Sequence, residues 1–186
     1  MQERENILRI FKETKAAVSR GDSAKIKNLS NETNNTAALT NDPDNIAAAV
    51  IVYSLSKIIE RVNYSSLPGW KKFYDTYLLS IDKIISSVEK KDDESYRKNI
   101  QIIRDAIEKL SGPLKQNIQD VFRKASINKA SKLYEHGISM ETTAKLLGIS
   151  IFELADYAGT KETMNPTETK TISARERIKT AMGMFE

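Results

Sequence analysis

The stretch DNIAAAVIVYSLSKIIERV, residues 44–62, is small or apolar nearly all the way round a helix for three turns. Asp42 and Pro43 stand immediately before it, a pairing typical of a helix start. A helix with apolar residues on every side is buried at the centre of a domain, because it leaves no face for water. The alanines at positions 47–49 let neighbouring helices approach closely. We therefore predict a helical domain built around this segment.

Amphipathic segments lie on both sides of the central helix. Apolar residues at three- and four-residue spacing predict helices over residues 2–20, 70–88, 95–110 and 113–134. A short helix is expected over residues 23–30, whereas residues 31–43 are rich in Asn, Thr and Asp and predict mostly loop. No stretch shows the alternation of a strand. The sequence predicts an all-α fold.

Composition limits the chemistry available to the chain. Its 186 residues are 40% hydrophobic and 29% charged, the proportions of an ordinary globular protein. Cysteine is absent, which excludes disulfides, thiolate metal sites and cysteine nucleophiles. With one histidine and no glycine-rich phosphate loop, the sequence predicts no metal site, no cofactor and no enzymatic activity.

The sequence also carries expectations about location. The first residues, MQERENILRIFKE, are charged from the third position, so no secretory signal is predicted. The longest apolar run, residues 46–53, has eight residues, against about 20 for a membrane-spanning helix. We expect a cytoplasmic protein without a membrane partner. Its net charge of +4 permits contact with a polyanion without requiring it.

A second informative stretch is ISMETTAKLLGISIFELADYAG, residues 138–159. Ser139 and Ser150 stand where they can cap two successive helices, separated by a turn that contains a glycine. This spacing resembles the helix-turn-helix of prokaryotic regulators and of small antitoxins, over about residues 125–160. The scaffold positions of that motif fall on Ala144, Leu147, Gly148, Ile149 and Leu154.

The resemblance implies that the second helix lies in the major groove of DNA and reads bases with its outward residues. Those residues are Ser150, Ile151, Phe152, Ala155 and Asp156, a poor set for reading purines. Acidic Glu153 and Asp156 would also repel phosphate. The motif therefore leaves two functions open, weak DNA binding and contact with a protein.

The first alternative is a nucleic-acid-associated regulator that binds double-stranded DNA weakly or in a non-standard way. The residues expected to contact the DNA backbone are Ser139, Thr142, Lys145, Ser150, Lys132 and Lys161. Three further cations, Arg123, Lys124 and Lys129, flank the motif. The N-terminal bundle would then serve dimerisation or sensing.

The second alternative is an adaptor or antitoxin-like protein that binds a partner, or a second copy of itself, through apolar side chains. The same side chains could instead pack on the protein's own N-terminal bundle. The candidates are Ile151, Phe152 and Ala155 in the motif and Ile178, Met182 and Phe185 near the C-terminus. Residues 160–172 are predicted to form a linker. The expected organisation is a bundle over 1–112, a linking helix with the helix-turn-helix over 113–160, and a linker with a docking helix over 161–186.

Overall fold

The computed structural model describes residues 1–40, 42–135, 139–147 and 150–164. These residues form eight α-helices and one short 3₁₀ turn at Val62–Ser66, with no strand among them, so the all-α prediction is confirmed. The helices are α1 Arg4–Val18, α2 Ser23–Thr40, α3 Pro43–Ile59, α4 Trp70–Glu89, α5 Asp93–Glu108, α6 Gly112–Glu135, α7 Met140–Leu147 and α8 Ile151–Met164.

Helix α3 lies at the centre of the fold, as its all-round apolar sequence predicted. The Asp42 carboxylate accepts the backbone N–H of Asp44 at 2.9 Å, and Pro43 occupies the first turn. Residues from Ile46 to Ile58 are almost all buried, and α1, α2, α5, α6 and α7 all pack on this helix. Because most of the buried side chains of α3 are apolar, burial of apolar area contributes most to holding this helix in place.

Helices α1, α4 and α5 complete the bundle around α3. Their inward faces supply the core residues Ile7, Ile10, Phe11, Phe73, Tyr77, Ile81, Ile84, Tyr96, Ile100 and Ile103. Polar contacts fix the register, since the Tyr77 hydroxyl donates to the Ile51 carbonyl at 2.7 Å. The Arg97 guanidinium holds the Asp44 carboxylate with two hydrogen bonds of 3.0 and 2.9 Å, which ties α5 to the start of α3.

Helix α2 differs from the prediction. We expected a helix over 23–30 and then loop, but α2 continues to Thr40. The hydroxyls of Thr33, Thr36 and Thr40 each donate to the carbonyl four residues earlier, at 3.0, 3.2 and 3.1 Å. These side chains therefore bond within the helix instead of competing with it. Extensive packing on α3, including a 2.7 Å hydrogen bond from the Ser30 hydroxyl to the Ala49 carbonyl, supplies the stabilisation.

Helix α6, Gly112–Glu135, covers the segment over which the sequence predicted one long helix, residues 113–134. Its first half buries Leu114, Ile118 and Val121 in the bundle core. Its second half buries Ala125, Ala130 and Leu133, and there α7 and α8 pack on it. One continuous helix therefore belongs both to the bundle and to the predicted helix-turn-helix.

Helix α8 is longer than expected. Residues 160–164 were predicted to begin a linker, but they continue α8 to Met164. The remaining tail, with Ile178, Met182 and Phe185, lies outside the described residues. Across the described parts of the chain, no helix is both long and apolar enough to cross a membrane.

Candidate functional site

The three helices α6, α7 and α8 pack against one another, and α7 also contacts α3. Ala144 in α7 is 2% exposed and Leu154 in α8 is fully buried; both are predicted scaffold residues of the motif. Leu147 lies in the last turn of α7. Gly148 and Ile149, the predicted turn, lie outside the described residues.

The start of α7 is fixed by two residues that we predicted to contact DNA. The backbone N–H of Thr142 donates to the Ser139 hydroxyl oxygen at 3.1 Å, and that hydroxyl donates to the Thr142 side chain at 2.8 Å. Both side chains are exposed. They hold the helix end in place and still face solvent.

The start of α8 carries a reciprocal capping box between Ser150 and Glu153. The Glu153 carboxylate accepts two hydrogen bonds from Ser150, one from the backbone N–H at 2.9 Å and one from the side-chain hydroxyl at 2.8 Å. In return, the backbone N–H of Glu153 donates to the Ser150 hydroxyl oxygen at 3.1 Å. Arg123 in α6 donates to the same carboxylate at 2.8 Å. The pKa of Glu153 is lowered to about 2, mainly by the hydrogen bonds from Ser150 and to a smaller extent by the one from Arg123.

Next to this cap lies an exposed apolar surface. Phe152 is 85% exposed and Ile151 is 46% exposed, and Ala155 follows one turn later, also exposed. We call these three residues the α8 patch. Among the described residues, Phe152 has the largest exposed fraction of the four exposed large hydrophobic side chains, the others being Leu79, Tyr134 and Ile151. The structure thus brings the predicted partner-contact residues of this helix together on one surface.

The predicted cations are less available than expected. Lys132 donates to the Asn31 side-chain oxygen at 2.8 Å and so faces α2. Arg123 pairs with Glu153, and Lys124 pairs with Asp120 at 2.9 Å. Lys145 and Lys161 lie in α7 and α8, but their side chains are outside the described part of the chain.

The prediction that Lys129 is an available cation is wrong. We counted it among the cations flanking the motif, but it is fully buried and cannot reach a phosphate. Its ammonium group donates to the Asn31 oxygen at 3.0 Å and lies 4.4 Å from the centre of the Tyr53 ring. The pKa of Lys129 is lowered to about 7, mainly by burial and to a smaller extent by the positive charges of Lys132 and Lys27.

A signal for this burial existed in the sequence. Ala125 and Leu133 lie one turn before and one turn after Lys129, and both are fully buried. Residues four apart on a helix share a face. The apolar stripe of α6 therefore passes through position 129, and a lysine there has to be buried.

A groove of about 610 Å³ lies between α3, α6 and α8, beside the α8 patch. Asn128 donates to the Tyr157 hydroxyl at 3.3 Å within it. Its charged lining contains the cations Lys57, Arg61, Arg123 and Lys124 and the acids Glu60, Asp120, Glu153 and Asp156. Because both signs are equally represented, this groove does not favour a polyanion.

Within the described ranges, no group of His, Cys, Asp and Glu side chains could hold a metal ion. Comparison of the chain with protein-family models, with curated proteins and with solved structures finds no match.

Proposed function

We propose that this chain is a helical protein-interaction module that binds a partner protein through the α8 patch. The observation that carries the proposal is the 85% exposure of Phe152. Covering an exposed phenylalanine contributes about 2–3 kcal/mol to binding. Aromatic anchors of this kind supply most of the free energy at protein interfaces.

The surroundings of Phe152 support a binding role because they hold the start of α8 in one position. The Ser150–Glu153 capping box fixes the first turn, and Arg123 ties that turn to α6. A patch that is already rigid loses little conformational entropy when a partner covers it. The expected partner presents an apolar pocket for the phenylalanine ring.

The charges beside the α8 patch indicate which charges the partner surface should carry around its apolar centre. Acids and bases alternate along the neighbouring groove, with Arg123 beside Glu153 and Lys124 beside Asp120. A strongly acidic or strongly basic partner would meet like charges on this rim. We therefore expect a partner surface with both signs of charge around an apolar centre.

DNA association is the second candidate, and one observation favours it. Ser139, Thr142 and Ser150 are exposed at the starts of α7 and α8, where backbone N–H groups attract phosphate. However, Lys129 is buried and Arg123 is paired with an acid, which leaves less free positive charge than the sequence suggested. DNA binding of this surface would be weak and independent of base sequence.

The proposal is tested by affinity purification of the tagged protein from its native cells. Three forms are compared: wild type, Phe152→Ala and Leu79→Ala. Leu79 is the matched control because it is 54% exposed but lies on α4. We expect one protein to be retained at stoichiometric amount by wild type and by Leu79→Ala, and lost from Phe152→Ala. The same proteins in all three samples would contradict the proposal.

A further inference from the structure

A second surface feature lies away from α8, between the start of α4 and the end of α5. It is a groove of about 340 Å³ whose apolar lining consists of Pro68, Phe73, Ile102, Ala106 and Leu110. Phe73 is buried beneath it, and Ile102 and Ala106 are half-buried. Small-molecule sites have volumes from about 300 Å³ upwards, so this groove is large enough for a small ligand.

The backbone at one end of the groove keeps it open. Gly69 caps α4 with φ of 85°, a left-handed conformation that favours glycine. A Cβ atom at this position would lie 3.6 Å from the Leu110 side chain across the groove. With glycine there, no side chain fills the space between the two helices at this end.

The rim of the groove carries excess positive charge. Lys72 extends from α4 and Lys109 follows α5, so one cation stands on each side. Both are exposed, and none of the ion pairs found between described residues includes Lys72 or Lys109. The acid in the lining, Asp105, already accepts a hydrogen bond from the Gln101 amide at 2.8 Å. An apolar floor between two available lysines complements a molecule with a short alkyl chain and one negative charge.

We propose that this groove binds a small amphipathic carboxylate, with its chain on Phe73, Ile102 and Ala106 and its carboxylate between Lys72 and Lys109. This site is separate from the α8 patch, because α8 packs on α6 and α7 whereas the groove belongs to α4 and α5. It gives the bundle a ligand-sensing role that does not depend on the proposed partner protein.

The test is calorimetric titration of the full chain with decanoate, below its micelle concentration, and with decanol as the uncharged match. Trp70 provides a second readout, since this single tryptophan stacks on Tyr74 at 5.2 Å and lies 6.3 Å from Phe73. We expect saturable binding of one decanoate, about tenfold tighter than decanol, which corresponds to about 1.4 kcal/mol. Equal affinity for both compounds, or no binding, overturns the proposal.

Variants separate the charged and apolar parts of the site. Replacing both Lys72 and Lys109 by Gln should reduce decanoate affinity about tenfold, to that of decanol, and leave decanol binding unchanged. Lys98→Gln is the control, because this exposed lysine of α5 does not line the groove. Ala106→Leu should weaken both compounds by filling the floor. Decanoate binding that survives the lysine variants overturns the proposal.

Discussion

The buried ammonium group of Lys129 in α6 lies 4.4 Å from the centre of the Tyr53 ring in α3. The same group donates to Asn31 in α2 at 3.0 Å, and Lys132 donates to the same oxygen at 2.8 Å. These contacts join the second half of α6 to two helices of the bundle. The surface that presents Phe152 is consequently anchored to the rest of the protein through α6.

Lys129 should make folding stability depend on pH. Folding lowers its pKa from 10.5 to about 7, so between these values the unfolded chain binds a proton that the folded chain lacks. Stability from this residue therefore rises with pH across that window, by about 1.4 kcal/mol per unit, and is lowest below it. Urea unfolding of wild type and Lys129→Met at pH 7 and pH 9 measures the effect.

We expect the difference in unfolding free energy, wild type minus Lys129→Met, to rise by about 1–3 kcal/mol between the two pH values. Lys98→Met is the control, since Lys98 is exposed and should leave the slope unchanged. A wild-type minus Lys129→Met difference that stays constant with pH would show that Lys129 titrates normally in the folded protein.

The capping box of α8 gives a second prediction. Glu153→Gln should reduce the protection of amides at the start of α8 in hydrogen exchange, because Gln lacks the charge that Ser150 and Arg123 stabilise. Since folding lowers the pKa of Glu153 to about 2, its contribution is present above the ordinary carboxyl pKa and is lost as pH falls towards 2. The difference between the proteins should shrink on acidification.

Glu141→Gln, in the first turn of α7, serves as the matched control for that exchange experiment. Equal protection of α8 in wild type and Glu153→Gln at neutral pH would mean that the capping box does not hold this helix end.

The hydrogen bond from Tyr77 to the Ile51 carbonyl gives a third prediction. Tyr77 is fully buried, so Tyr77→Phe leaves that carbonyl without this donor and should cost about 1–2 kcal/mol of stability. Tyr74→Phe, one turn earlier and half-buried, should cost less. Urea unfolding of both variants gives the comparison, and equal losses would argue against a role for the bond.

Charge placed at Ile51 tests whether α3 is the centre of the fold. Ile51 is 2% exposed, and an uncompensated buried carboxylate costs more than about 4 kcal/mol. Ile51→Asp should abolish the cooperative thermal transition seen by circular dichroism, whereas Ile51→Val should lower stability by only about 1 kcal/mol. A folded Ile51→Asp protein would show that α3 tolerates water.

DNA association is predicted to be weak. Fluorescence anisotropy with a mixed-sequence duplex should show little binding at about 50 mM salt and none at about 200 mM. Thr142→Glu, which adds a negative charge at the exposed start of α7, should remove what remains. Saturable binding at the higher salt that Thr142→Glu abolishes would favour the nucleic-acid function over protein contact.

The helices that the sequence predicted correctly are α3, which is apolar on nearly every side, and helices with apolar residues at three- and four-residue spacing, such as α4 and the long α6. Helix α2 was predicted too short because Asn and Thr favour turns locally, whereas packing on α3 and hydroxyl bonds within the helix decide its length. The burial of Lys129 was missed because lysine is usually exposed, although this residue lies on the apolar face of α6. The length of α2 depends on tertiary contacts, which local sequence rules do not contain, whereas the position of Lys129 between Ala125 and Leu133 on one helix face could be read from the sequence.

The exposure of the α8 patch also depends on tertiary packing. From spacing alone, Phe152 could have packed on the bundle or faced solvent, and its 85% exposure follows from how α8 lies on α6 and α7. The ion pair of Arg123 with Glu153 links residues 30 positions apart, so the sequence could not indicate it.

Photo-crosslinking from position 152 tests most directly whether α8 contacts a partner protein. A photoreactive phenylalanine analogue replaces Phe152, or Leu79 in a control protein, and the cells that normally contain the chain are irradiated. Protein contact through the α8 patch predicts one discrete cross-linked species from position 152 and none from position 79. Equal labelling from both positions, or no adduct from position 152, would contradict it.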